Sequence, residues 1–375
     1  MEPETRTWAE ISLEALEHNY NQLRSKISDD CMFLAVIKAN AYGHGAERVA
    51  LRLQVLGADY FAVATLDEAI KLRECGIILP ILILGYTPAE YANKLIEHEL
   101  TQTVFSREYG IALAAQAEKA GGVVDIHIKI DSGMSRLGFS ALDPTTPQAV
   151  AEVCSLSSFN PEGIFTHFSV AEEDDGEEYT MELFDRFADI LSILRDEYSI
   201  QFEIRHCANS AAMINYPCTH LDMVRVGIAL YGAYPNPQNT EGIDLHPVME
   251  LKTRIIQIKN FPAGTSVSYG RTYTTDRAMR IAVIPIGYAD GLMRLSSNNF
   301  IATLNGRQVK SVGRICMDMC MLDVTDVLNA KTGDEVTLFG AGRNISVEDY
   351  ARAANTISYE VFCSLSERIP RIYPE

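Results

Sequence analysis

From residue 32 onward, short apolar and β-branched runs alternate with stretches of helical period. MFLAVI, YFAVA, ILIL, TQTVF, VVDIHIKI, SSFNPEGIFTH, FEIRH and LDMVRV read as strands. Between them, AERVALRLQVLG, LDEAIKLRECG, PAEYANKLIEHE and REYGIALAAQAEKAGG repeat their apolar residues at helical spacing. The second and fourth close on Gly, the residue best able to turn the chain left-handed past a helix end. An amphipathic helix over residues 12–27 precedes the series. About eight β/α units in succession predict a (β/α)8 TIM barrel, the α/β class. A doubly wound sheet shares the alternation, which by itself leaves closure open.

The rhythm changes after YGAYPNPQNTEGIDLHP, residues 231–247, whose Pro, Gly and Asn mark a linker. Beyond it, MELKTRIIQIKN, MRIAVIPIGY, FIATLNGRQVKSVG, MCMLDVTDV and DEVTLFG alternate with the period of strands. Asn305-Gly306 between two such runs predicts a tight hairpin. The expected organisation is a barrel domain over 1–240, including the N-terminal helix and linker, followed by a mostly β domain over 241–375.

Composition narrows the function. With 47% hydrophobic and 22% charged residues, the 375-residue chain has the make-up of a soluble globular protein. Its net charge of −18 argues against nucleic acid and anionic membrane surfaces as partners. The longest apolar run, IILPILIL, falls far short of the roughly 20 residues that span a bilayer. No basic segment followed by an apolar one opens the chain, so the expected location is the cytoplasm. The eight cysteines are scattered without metal-ligand spacing; they are expected to be reduced, and no metal is expected.

Chemistry enters with FLAVIKANAYGHG, where an apolar strand ends on Lys38. Such a lysine ordinarily carries its ammonium to water. The alternative is an amine desolvated enough to lose its proton and attack a carbonyl. The barrel reading favours the second, because other unusual residues share the same end. Arg136 follows the fifth strand, His167 ends the sixth, Asn209 and Ser210 follow the seventh, and Arg225 with Gly227 closes the eighth. TIM-barrel enzymes build their sites there, with strands 7 and 8 commonly supplying a phosphate pocket. Ser210 heads a short helix, where its ordinary role is an N-cap, although the free N–H groups of a helix start also suit a phosphate. In DIHIKID, Asp125, His127, Lys129 and Asp131 alternate with three isoleucines, so the polar set faces either a barrel lumen or, on an edge strand, solvent. The acidic run 171–178 is expected to be a solvated loop.

VIKANAYGHG, KIDSGMSRLG, THF, HCANSAA, MVRVGIALYG, VSYGRTY, IPIGYADG, GRICMDM and NTISYEV follow one another across nearly the whole chain. Together they closely resemble the bacterial alanine racemases that use pyridoxal 5'-phosphate. The resemblance implies a TIM barrel followed by a β domain. It also implies interconversion of L-alanine and D-alanine by two-base proton transfer at Cα, supplying D-alanine for peptidoglycan. Lys38 matches the lysine that holds the cofactor as an imine and serves one face of Cα. Tyr269 matches the base for the other face, contributed in the family by the partner subunit of a head-to-tail homodimer. His167 and Arg225 match the hydrogen-bonded chain behind that tyrosine. Arg225 also matches the arginine facing the pyridine nitrogen, which an always-charged guanidinium should keep unprotonated. Tyr42, Ser210, Gly227, Ile228 and Tyr359 match phosphate-binding positions, and Asn209 is grouped with them. Arg136 and the backbone at Met317 match contacts to the substrate carboxylate. Lys129 matches a lysine that is often carbamylated and orients Arg136, while Tyr288 and Tyr359 match the entrance pair.

Two positions depart from the family pattern: Ser135 stands where many relatives have glycine, and Met319 where glutamine is common. The nearest alternative is a serine or broad-specificity racemase. A pyridoxal phosphate carrier resembles the barrel half only, and decarboxylases of this architecture set an acidic residue against the pyridine nitrogen, where this chain has Arg225.

Overall fold

The computed structural model describes residues 6–236, 242–340 and 345–374. Eight parallel strands form the first layer: Met32–Val36, Tyr60–Val63, Ile81–Ile83, Thr101–Val104, Val124–Asp131, Phe159–Phe165, Ile204–His206 and Met223–Val226. The eighth returns to lie on the first, with Met223 opposite Met32 and Val226 opposite Ala35. That return makes the sheet a barrel and removes the doubly wound alternative. The seam between strands 7 and 8 carries no regular ladder. It is stitched by Asp222 N–H to Arg205 O at 3.1 Å and Arg225 N–H to Ala208 O at 2.9 Å. The Asp222 carboxylate also grips the Arg205 guanidinium at 2.7 and 3.0 Å.

Local chemistry accounts for the helices around it. The first, Leu13–Arg24, begins where Ser12 accepts a hydrogen bond from Ala15 N–H. Leu66–Glu74 begins with a reciprocal capping box between Thr65 and Glu68. Gly76 and Gly121, the two closing glycines, both take positive φ, +94° and +73°. On the fifth strand Ile126, Ile128 and Ile130 are fully buried, and so is His127, with Lys129 nearly so. The strand is therefore interior on both sides, and its polar residues line the lumen.

Most of the remaining strands build two mainly antiparallel sheets, besides a short ribbon of Ser266–Val267 with Tyr273–Thr274. The larger runs in the order Arg307–Lys310, Ile301–Leu304, Glu335–Phe339, Met249–Arg254, Thr7–Ile11, Arg371–Ile372. The smaller holds Gln257–Phe261, Met279–Ile284 and Cys320–Asp323. Asn305 and Gly306 form the expected hairpin turn with φ of +50° and +76°. Thr7–Ile11, assigned to no element from the sequence, pairs antiparallel with Met249–Arg254 and parallel with Arg371–Ile372. A five-residue strand whose partners lie more than two hundred residues away leaves no local signal. The expected boundary at 240/241 falls outside the described residues. No helix among the described residues is long and apolar enough to cross a membrane.

Candidate active site

Beyond the first barrel strand the backbone does something unusual. Ala39, Asn40, Ala41 and Tyr42 all take left-handed φ, +52°, +56°, +54° and +51°. Each such non-glycine residue costs about 1–2 kcal/mol, so the turn must be held from outside. Ala39 N–H donates to Glu68 Oε1 at 2.7 Å, and Ala46 N–H to Asn40 Oδ1 at 2.8 Å. His44 Nδ1–H lies between Ala41 O and Tyr42 O at 3.0 and 2.9 Å. From the chain's far end, Arg371 Nε–H donates to Gly43 O at 2.8 Å and Tyr373 O–H to His44 O at 2.9 Å. The turn sets Lys38 at the barrel mouth and folds Tyr42 inward against Tyr231, ring centroids 4.9 Å apart. Burial, and after it the charge of Arg136, lowers the Lys38 pKa. The strand thus ends on a lysine whose ammonium is disfavoured, which is what a nucleophilic amine needs.

Arg225, 4% exposed on the eighth strand, is the hub of the site. Its Nη1 lies 3.1 Å from His206 Nδ1, and its Nη2 3.0 Å from His167 Nδ1. Nη2 also donates to Thr166 O at 2.8 Å and Cys207 O at 2.9 Å. A guanidinium only donates, so both histidine Nδ1 atoms are acceptors and each neutral ring carries its proton on Nε2. Burial followed by the charge of Arg225 holds both histidines well below the usual range. Burial also lowers Arg225 itself, to about 10. One Nη1 hydrogen and the Nε–H make no hydrogen bond among the described residues.

Strands 7 and 8 supply a cradle. The N-cap of the helix Ser210–Asn215 is Asn209, whose Oδ1 accepts from Ala212 N–H at 2.9 Å, rather than the expected Ser210. Asn209 is the residue with extended backbone there, and this frees Ser210 Oγ to accept from Gly227 N–H at 2.8 Å. A Cβ on Gly227 would come within 2.7 Å of Tyr42 Oη, so this approach requires glycine. The turn Ile228–Tyr231 follows, and its first N–H groups have no acceptor within it. Tyr359 closes the group from a C-terminal helix, its ring 5.9 Å from that of Tyr42.

After the fifth strand the Asp131 carboxylate accepts N–H groups from Gly133, Ser135 and Arg136 at 3.0, 3.0 and 3.1 Å, shaping the loop that carries Arg136. Ser135 has φ of +58°, which explains why glycine suits the position. Lys129 donates to its neighbour's carbonyl, Ile130 O, at 2.6 Å. Burial and then the charge of Arg225 pull its pKa down to about 7.

The second group lies on the C-terminal domain. Tyr269, Met317 and Tyr288 are 68%, 54% and 43% exposed. Their loops are knit together: Ser268 Oγ donates to Arg314 O at 2.6 Å, Tyr288 N–H to Cys316 O at 3.1 Å and Ala289 N–H to Met317 O at 2.9 Å. A cavity of about 500 Å³ opens beside Tyr269, lined also by Phe261, Val267, Cys316 and Met321. Lys38, Tyr42, Lys129, Arg136, His167, Asn209, Ser210, Arg225, Gly227, Ile228 and Tyr359 therefore gather around the barrel mouth, and Tyr269, Tyr288 and Met317 form a separate face. No hydrogen bond, ion pair or ring contact joins Tyr269 to the first group among the described residues. Sequence reasoning missed His44, His206 and Arg371; only His206, at the mouth-side end of a barrel strand like the other site residues, carried any signal.

The family model for the alanine racemase N-terminal domain matches residues 11–235, and that for the C-terminal domain matches residues 248–373. Alanine racemase 2 of Caldanaerobacter subterraneus subsp. tengcongensis is 44% identical over 369 residues, covering 98% of this chain and 94% of that protein. The alanine racemase of Desulfovibrio desulfuricans is 45% identical over 372 residues, 98% of each. Among solved structures, an alanine racemase of Clostridium difficile 630 superposes with a TM-score of 0.94 at 41% identity, covering 100% of this chain and 97% of that one.

Proposed function

The chain belongs to the alanine racemase family and is an isomerase, and from that premise we propose that it interconverts L-alanine and D-alanine by moving the Cα proton between two bases. On this reading it works in the cytoplasm as a head-to-tail homodimer with pyridoxal 5'-phosphate, and its D-alanine feeds peptidoglycan synthesis. The observation that carries it is Arg225: a buried cation held by two neutral histidines, with donor hydrogens to spare at the barrel mouth.

The residues present fit the cofactor. Lys38 would hold it through Nζ; Tyr42, Asn209, Ser210, Gly227, Ile228 and Tyr359 would hold its phosphate, Gly227 being the position where a side chain would press on the Tyr42 hydroxyl. Arg225 would face its ring nitrogen. When bound, the cofactor supplies a conjugated acceptor for the electron pair left at Cα. Arg225 would donate a hydrogen bond to that nitrogen without giving up its proton, which would limit the electron withdrawal that leads to transamination.

Lys38 Nζ, lowered by burial and by Arg136, exchanges a proton on one face. Tyr269 of the partner subunit serves the other, and His167, bonded to Arg225, stands behind it. Arg136 and the backbone at Met317 of the partner subunit hold the carboxylate. Tyr359 and the partner subunit's Tyr288 narrow the entrance, which favours a methyl side chain. Lys129, with a large neutral fraction near pH 7, takes up carbon dioxide. The neutral Nζ lone pair forms the new N–C bond, one C=O π pair passes to oxygen and one proton leaves to solvent, so a neutral amine beside Arg225 becomes an anion.

Purified protein incubated with pyridoxal phosphate and L-alanine in heavy water should yield D-alanine carrying deuterium at Cα. Neither product, with the cofactor demonstrably bound, would overturn the reading. The ratio of kcat/KM for alanine, serine and larger amino acids decides between an alanine racemase and a broader one.

A further inference from the structure

The hydrogen bonds of Arg225 continue through the lumen, away from the barrel mouth. His206 Nδ1 accepts from Arg225, so His206 Nε2–H donates, and its partner is His127 Nδ1 at 2.9 Å. A neutral imidazole has one donor and one acceptor, so His127 in turn donates from Nε2 to Glu162 Oε2 at 3.3 Å. Glu162 receives a second hydrogen bond from Tyr60 O–H at 3.0 Å. The Tyr60 oxygen lies 2.7 Å from Thr101 Oγ1; its own hydrogen is committed to Glu162, so Thr101 is the donor. Tyr60 and Thr101 are the first residues of their strands, which places Glu162 toward the end of the barrel opposite Lys38.

Every donor in this line points toward Glu162. A carboxylate accepts without donating, which makes it the natural terminus of such a line. The Glu162 side chain is 24% exposed, and the hydrogen bond from His127 is the first cause holding its pKa below the usual carboxylate range. The rings between cannot turn freely. A Cβ on Gly163 would stand 2.6 Å from the His127 ring, and His206 stacks on Phe165 with centroids 4.7 Å apart.

We propose that Glu162 is a positioning residue that fixes the direction of the Arg225–His206–His127 hydrogen-bond line, and so keeps the His206 Nδ1 lone pair facing Arg225 while the spare donors of Arg225 meet the cofactor ring nitrogen. Without an acceptor at the far end, His127 gains nothing from keeping its proton on Nε2. A reversed line would set His206 Nδ1–H against Arg225 Nη1–H, and the guanidinium would have to move. The inference rests on the function proposed above for its effect on chemistry, but the direction of the line is a property of the protein alone.

The test is nitrogen-15 NMR of the histidines in the holoenzyme, together with the pH dependence of the cofactor absorbance and the fraction of alanine turnovers that end in pyruvate and aminated cofactor. In the native protein both His206 and His127 should carry their proton on Nε2; a proton on Nδ1 of either ring overturns the proposal, and no variant is needed to see it. Glu162→Leu should mix the tautomers, shift the absorbance titration and raise the transamination fraction about tenfold, with KM for alanine nearly unchanged. Glu162→Gln keeps an acceptor oxygen and should restore the native tautomers and partition. Native behaviour in Glu162→Leu, or equal effects of Leu and Gln, would refute it. Absent racemisation in the native protein would sink the functional reading while leaving the tautomer result standing.

Discussion

At the barrel mouth Arg225, 4% exposed, gives hydrogens to two histidine nitrogens and two carbonyls; on the C-terminal domain Tyr269 stands 68% exposed beside an open cavity. The first region is completed within one chain. Most of its buried polar groups have partners, as burial demands, with His44 Nε2 an exception, and its lysines and histidines have moved from their ordinary pKa values toward neutrality. The second offers an aromatic ring, a methionine and a hollow to the outside, the kind of surface that association commonly covers. One region thus carries groups that burial has prepared, and the other an aromatic ring in the open; on the function proposed above, that ring is the base for the site of a second copy.

The sharpest way to break that comparison uses two inactive variants. Lys38→Ala and Tyr269→Phe should each lose about 10²–10⁴-fold in kcat, the usual worth of a general base or more. Co-expressed, they form mixed dimers in which one site lacks both groups and the other has both, so activity should return. No recovery in purified mixed dimers would mean that Tyr269 does not serve the neighbouring site. Tyr269→Phe alone should also slow deuterium incorporation from one enantiomer more than from the other.

Not all of the C-terminal domain waits for a partner. Arg371 reaches back within its own chain to Gly43 O at 2.8 Å and also donates to Leu365 O, Ser366 O and Ile369 O. Arg371→Ala leaves four carbonyls short of a donor and releases one end of the strained turn. It should lower stability to urea by about 2–4 kcal/mol and weaken cofactor retention. An unchanged unfolding midpoint would show that the left-handed turn stands without this clasp.

Lys129 sharpens the contrast through pH. Its folded pKa, pulled down to about 7 by burial, lies below the unfolded value of about 10.4. Between those values the unfolded chain binds more protons, so its contribution to stability rises with pH across that window. Protein stripped of carbon dioxide should show this slope, and Lys129→Met should lack it. Adding labelled bicarbonate should remove the slope and give a carbamate carbon signal. A pH-independent native protein in carbon-dioxide-free buffer would argue that the lysine is already modified or solvated.

How much of this was legible follows from where each signal sits. The first three barrel strands were visible because each buries a contiguous apolar run, and the lumen face of DIHIKID because period 2 is local. The left-handed turn at 39–42 was not, since alanines such as Ala39 and Ala41 ordinarily favour a right-handed helix; its cause lies in Glu68 and Arg371, both distant in sequence. Thr7–Ile11 was missed for the same reason, its partners being Met249–Arg254 and Arg371–Ile372. Ser210 was given the capping role because Asn209 and Ser210 are both good caps, and only the backbone of Asn209 separates them.

The smallest expected effect tests whether the barrel mouth tolerates relief of strain. Ser135 holds φ of +58° in the loop that carries Arg136. Ser135→Gly removes a left-handed cost of about 1 kcal/mol, but a glycine also loses more backbone freedom on folding, by roughly 0.5–1 kcal/mol. The net change in stability should therefore stay under about 1 kcal/mol. Asp131 binds the backbone N–H of residue 135 rather than its side chain. The loop should keep its shape, and KM for alanine should move by less than about twofold. A larger rise in KM would mean that the serine hydroxyl, and not only the backbone it strains, helps to hold Arg136 in place.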